Sequence, residues 1–107
     1  MLKSRERKIN NRKVISREIT VAEIEKLYQD QAGINKLVGF IMGDHEFIPA
    51  MMELLTDLPA VEIRQLSAGD YEQILDDLRE VNADFFAIWR EKELPLMLKM
   101  MEEQSKK

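Results

Sequence analysis

The sequence predicts a mainly α protein, a compact bundle of about five or six short helices with a basic N-terminal arm that holds one short strand candidate. Three observations carry this reading. Glycine (4) and proline (3) are scarce in 107 residues, whereas Leu, Glu, Lys, Met, Ala and Gln, which lose little side-chain freedom in a helix, are abundant. From residue 20 onward, apolar side chains recur three and four apart in one segment after another. Helix-start signals stand at the head of two of those segments.

Residues 1–12 are polar and basic without an apolar period, and read as a mobile terminus. Lys13-Val14-Ile15-Ser16-Arg17-Glu18-Ile19 is rich in β-branched residues and is the one strand candidate. A lone strand needs a partner, which points to another chain. Thr20 opens a helix through a capping box, Thr20-Val21-Ala22-Glu23, in which the threonine oxygen accepts from the Glu23 amide and the glutamate reaches back to the cap. Val21, Ile24, Leu27 and Tyr28 share a face of that helix, and Gly33 is placed to end it. Ile34, Leu37, Val38 and Ile41 form the next apolar set, stopped at Gly43-Asp44. Phe47, Ile48, Met51, Met52 and Leu55 mark a third helix, with Pro49 in the first turn, where amide hydrogens lack partners anyway.

After Thr56-Asp57-Leu58-Pro59, a connector with Val61, Ile63 and Leu66 leads to Ser67-Ala68-Gly69-Asp70, a second capping box with aspartate in third position. Tyr71, Ile74, Leu75, Leu78 and Val81 then hold helical register. Asn82 recaps the chain, and Phe85, Phe86 and Trp89 form an aromatic cluster. Pro95 starts a last segment with Leu94, Met97, Leu98 and Met101 on one stripe. The chain therefore divides into a basic arm over residues 1–19 and a helical domain over 20–104.

Charge divides at nearly the same place. The formal net charge is −4, but residues 1–17 carry a net of +6 and the remainder a net of −10. An acidic body repels phosphate, so the arm alone would have to make any nucleic-acid contact, and no aromatic interleaves it to stack on single strands. The absence of cysteine excludes disulfides, thiol catalysis and thiolate zinc sites, and fits a reducing cytoplasm. No apolar run reaches the ~20 residues needed to span a bilayer, and no apolar stretch follows the charged N-terminus as in a secretory signal.

No constellation supports catalysis, and no cofactor or metal is expected. His45 is the only histidine and has no second ligand at a suitable spacing. Asp70, Glu72, Asp76, Asp77, Glu80 and Asp84 read as the solvated face of an amphipathic helix. No serine lies in a nucleophile elbow, and no glycine-rich loop follows a strand.

Binding candidates come instead from apolar and charged surface. Six of the seven methionines stand at positions 42, 51, 52, 97, 100 and 101, where they either fill gaps in a core or form an adaptable groove for an apolar partner. Met51, Met52, Phe85, Phe86 and Trp89 are the candidates for that surface. Arg12, Lys13, Val14, Ile15, Arg17 and Ile19 are the candidates for self-association, as an unpaired strand in a basic arm that would dock on the acidic body of a neighbouring copy.

Three stretches in this order carry a family pattern: Leu54-Leu55-Thr56-Asp57-Leu58-Pro59, Leu66-Ser67-Ala68-Gly69-Asp70-Tyr71 and Val81-Asn82-Ala83-Asp84-Phe85-Phe86, with Arg17-Glu18-Ile19-Thr20-Val21 upstream. The chain resembles the tail assembly chaperones of long-tailed bacteriophages over roughly residues 17–90, and looks most like the small chaperones encoded just before the tape measure protein. The resemblance implies a helical, non-enzymatic, self-associating protein of the host cytoplasm. It would coat the tape measure protein and keep it soluble until tube subunits polymerise. It also implies a longer form, made by ribosomal frameshifting, whose added domain recruits the tail tube subunit. The Ser105-Lys106-Lys107 ending, with A-rich lysine codons, suits a slippery site. Two rival readings are a small DNA-binding regulator using the basic arm and a structural phage protein. Against the first, no helix after residue 20 carries a Lys or Arg cluster.

Overall fold

In the computed structural model, which describes residues 2–105, the basic N-terminal segment is a β-hairpin. β1 (Ser4–Ile9) and β2 (Arg12–Arg17) pair antiparallel, from Ser4 opposite Arg17 to Ile9 opposite Arg12. The two-residue loop, Asn10-Asn11, has φ of 51° and 64°. A type I′ hairpin turn needs such left-handed values, and asparagine tolerates them better than most residues. Two expectations are thereby corrected. Residues 4–12 belong to the hairpin, and the strand foreseen at 13–19 spans Arg12–Arg17 and finds its partner within its own chain.

The outer edge of β2 is also covered. The Ile15 amide donates to the Asp57 carboxylate at 3.0 Å, and Ser16 forms an isolated antiparallel bridge with Thr56.

Helices follow in the expected order. α1 (Val21–Leu27) starts with the foreseen capping box at Thr20. α2 (Gln31–Met42) is capped by Asp30, whose carboxylate accepts from the Gly33 amide, and ends at Gly43 in the left-handed conformation, φ 79°. Gly33 therefore does not end α1. It lies in the first turn of α2, where a Cβ would stand 2.1 Å from the Leu27 carbonyl oxygen, so only glycine lets the two helices meet. α3 (Ile48–Leu55) has its proline in the first turn. α4 (Ala60–Gln65) makes a short helix of the supposed connector. α5 (Ala68–Val81) is capped by the Ser67 hydroxyl, and α6 (Ala83–Ile88) runs through a π-helical turn (Trp89–Glu93) into α7 (Leu94–Ser105). Among the described residues, no helix is long and apolar enough to cross a membrane.

One core serves all of this. Leu37, Phe40 and Ile41 of α2, Ile48, Met51, Met52 and Leu55 of α3, and Ile74, Leu75 and Leu78 of α5 are buried together. The hairpin adds Ile9 and Val14 to it, and the chain just after adds Ile19. Hairpin and helices thus share a hydrophobic core, and the boundary at residue 19 is not one of packing. Phe86 meets Phe40 edge to face at 5.1 Å between ring centroids, and the Trp89 indole N–H donates to the Tyr28 hydroxyl at 2.8 Å.

Asn82 fastens the hairpin end to the helices. Its backbone links α5 to α6, but its side chain does not cap α6. The side-chain carbonyl accepts from the Ile19 amide at 2.8 Å, while the NH2 donates to the carbonyls of Arg17 (3.2 Å) and Leu78 (2.9 Å). With 1% of its surface exposed, no water replaces these bonds. Asn82→Ala should cost about 1–3 kcal/mol, because it leaves a buried amide and carbonyl unpaired. The loss should appear as a lower urea midpoint with an unchanged slope.

Candidate functional site

Alternation along β1 puts Lys3, Arg5 and Arg7 on one side of the hairpin, the side that carries Ile9 into the core. Opposite them run Asp77 and Glu80 of α5 and Asp84 of α6, at helical spacing and in reverse order. The Arg7 guanidinium grips Asp77 with both arms, at 2.7 Å and 2.9 Å. Arg5 reaches Asp77 at 3.3 Å and also pairs with Glu80. Lys3 Nζ lies 2.8 Å from Asp84. That bond raises the lysine pKa and lowers the aspartate's.

The acidic row is therefore not a purely solvated face. Asp77 has only 2% of its side chain exposed. The missed signal was its position: Asp77 falls between Ile74, Leu78 and Val81 on the apolar stripe of α5, where an acid requires a partner.

The self-association candidates are placed differently from expectation. Val14 and Ile19 are buried in their own core, so they offer nothing to a second copy. Arg12 pairs with Asp57 and Glu62 and donates to the Asp57 carbonyl. Arg17 holds Glu23 through two bonds of 2.8 Å and donates to the Leu54 carbonyl. Lys13 is exposed and lies 3.5 Å from Glu6, and Ile15 is 37% exposed. The charge complementarity foreseen between two copies is satisfied within one.

The apolar candidates are corrected too. Met51, Met52, Phe86 and Trp89 are buried, at 1%, 0%, 7% and 2% exposure, and Phe85 is half-buried against the core. The reason for the methionines is their place on the Ile48, Met51, Met52, Leu55 stripe of α3, a helix that packs against α2, α4 and α5. Exposed apolar side chains lie elsewhere: Val21 at 71%, Val61 at 63% and Met42 at 61% are spread over the body, and Ile88 at 57%, Leu96 at 56% and Leu98 at 50% follow one another along the C-terminal helices. α7 makes its substantial contacts with the π-helical turn it continues, and the molecule is 53 Å long against 29 and 22 Å across. Leu98 was on the foreseen stripe; the side chains of Leu94, Met97 and Met101 lie outside the described ones.

Two further features complete the surface. An open groove of about 590 Å³ between α1, α2 and α3 has Leu27, Ala32 and Leu54 in its lining and lysines 26 and 36 beside them. His45 Nδ1 stands 3.4 Å from the exposed end of Tyr71, its hydroxyl.

Comparison with protein-family models, with curated proteins and with solved structures returns no match.

Removing the Arg7 side chain leaves Asp77 buried with only the longer Arg5 contact. Arg7→Ala should therefore destabilise the fold by about 3 kcal/mol or more by chemical denaturation, whereas Lys3→Ala, at a fully exposed pair, should change it little. The Arg17 grip holds the Glu23 carboxyl well below its ordinary value, at about 2. A carboxyl depressed on folding stabilises above its unfolded pKa, and that contribution fades as pH falls through the folded one. Acid titration should thus show a loss of stability between about 4.5 and about 2 that Glu23→Gln removes.

Proposed function

We propose that this chain is a non-catalytic chaperone of the phage tail assembly type, which binds a tape measure protein and keeps it soluble until tail tube subunits assemble around it. The observation that carries the reading is the helical extension from α6 through α7, where Ile88, Leu96 and Leu98 stand half or more exposed. Apolar side chains exposed around a projecting helix suit the capture of an apolar partner, which buries surface against them. The acidic balance of the remaining body favours solubility while such surface is exposed.

In this reading the chaperone works in the host cytoplasm, self-associates, and requires no cofactor. Tail tube subunits meet it through a longer frameshifted form. The regulator alternative has less support, because Lys3, Arg5, Arg7, Arg12 and Arg17 already face carboxylates of their own chain. That leaves little free positive stripe for duplex phosphates.

Co-expression with the tape measure protein of the same genome tests the proposal. The expected result is a soluble complex recovered by pull-down. Leu96 and Leu98 stand on different sides of the helix, so Leu96→Glu and Leu98→Glu are made separately. The one on the side that meets the partner should weaken capture about tenfold or more, since it buries a charge in an apolar contact, while circular dichroism stays unchanged. A tape measure protein that remains insoluble, or capture unaffected by either substitution, would falsify it.

A further inference from the structure

Among the described residues, nothing covers one edge of the hairpin. The Glu18 amide donates to the Lys3 carbonyl, which sets the phase of the ladder: residues 3, 5, 7 and 9 exchange bonds with β2. The amides and carbonyls of Ser4, Glu6 and Lys8 therefore point away from β2. β2's own outward edge is closed by Asp57 and Thr56. Among the described residues, no backbone group or side chain bonds the outward edge of β1, and Ser4, Glu6 and Lys8 are all exposed. Among the described residues, Lys8 is also the one cation of the hairpin without a carboxylate partner, and it stands directly opposite Lys13 across the ladder. Like charges so placed repel.

We propose that this edge pairs with the same edge of a second copy, β1 against β1, to make a four-stranded antiparallel sheet about a two-fold axis. The occupant follows from register and charge. A two-fold pair along an edge must be antiparallel and must match outward-facing residues with outward-facing residues. Two registers overlap nearly the whole of Ser4–Ile9. In one, Glu6 faces Glu6 and Arg5 faces Arg7, so like charges oppose at every central position. In the other, Glu6 of each copy faces Lys8 of its partner, twice over. Each Lys8 then gains the carboxylate it lacks, beside the Lys13 that repels it. Arg7 meets its symmetry mate near the axis, but each is already neutralised by its own Asp77. The second register wins, and the sequence of β1 is self-complementary in it. The proposal does not rest on the chaperone reading, and holds for the protein alone.

Sedimentation of the full chain over a range of concentrations tests it with a charge swap. The parent should form a dimer. Glu6→Lys and Lys8→Glu should each weaken the dimer about tenfold or more, because each creates two like-charge pairs. The double variant carrying both changes should restore it, since the swap recreates the complementary pairs. Circular dichroism should match throughout. Hydrogen exchange at the Glu6 and Lys8 amides should slow with rising protein concentration in the parent and in the double variant. A parent that stays monomeric at its highest soluble concentration overturns the proposal. So does a dimer indifferent to the single changes, a double variant that fails to recover, or edge amides whose exchange ignores concentration.

Discussion

Asp77 carries a carboxylate almost out of water, and the N-terminal end of the molecule is arranged around it. An unpaired charge in that position costs several kcal/mol, so the acid is tolerable only with cations brought to it. They come from a strand, because alternate residues of β1 project to one side about 6.8 Å apart. Successive acids on the helical row are about 5 Å apart along the axis, close enough for long arginine side chains to absorb the mismatch. Arg7 and Arg5 converge on Asp77, and the Glu80 and Asp84 contacts continue the row towards solvent. Docking these charges delivers Ile9 and Val14 to the core. Polar pairing here fixes position, and apolar burial supplies the larger share of stabilisation.

At the other end of the chain the balance reverses. Phe86 and Trp89 face the core, yet within two turns the helix presents Leu96 and Leu98 to solvent. The π-helical turn between them widens the backbone by a residue per turn, which shifts the phase of the apolar positions relative to α6. The helix therefore leaves the body as a continuous helical path, with Pro95, which has no amide to donate, just past the π-helical turn. The same protein combines a tightly paired charged end with an apolar extension.

Much of the helical architecture was legible in the sequence, because caps and periodicity are local signals. The Thr20 box, the Ser67 cap, the left-handed stop at Gly43 and the first-turn Pro49 stand where they were read. The failures share a cause: their explanation lies far along the chain. β1 has almost no apolar period, since the face it buries is made of arginine stems that meet acids some 70 residues on. Asn10-Asn11 is a weaker turn signal than Asn-Gly, although its positive φ values serve the same turn. Asn82 looked like a cap, and its side chain reaches back to Ile19 and Arg17 instead. The candidate surface was only partly legible. A stripe of Met51 and Met52 has the same spacing whether a helix lies inside or outside, and only the packing of α3 among its neighbours decides.

The span between the hairpin and its helix has a consequence for synthesis. Lys3 and Asp84 are 81 residues apart, so the hairpin is made well before the helices that seat it. Chains leave the ribosome N-terminus first, at about 5–20 residues per second. For several seconds the strand pair is finished while the acids that will hold it are still untranslated or inside the exit tunnel. During that interval it is a small, strongly cationic ribbon beside ribosomal RNA, and the long loop must close before it is neutralised. The emergence of α5 and α6 thus sets the clock for completion of the fold, and a translational pause before residue 77 would prolong the exposed state.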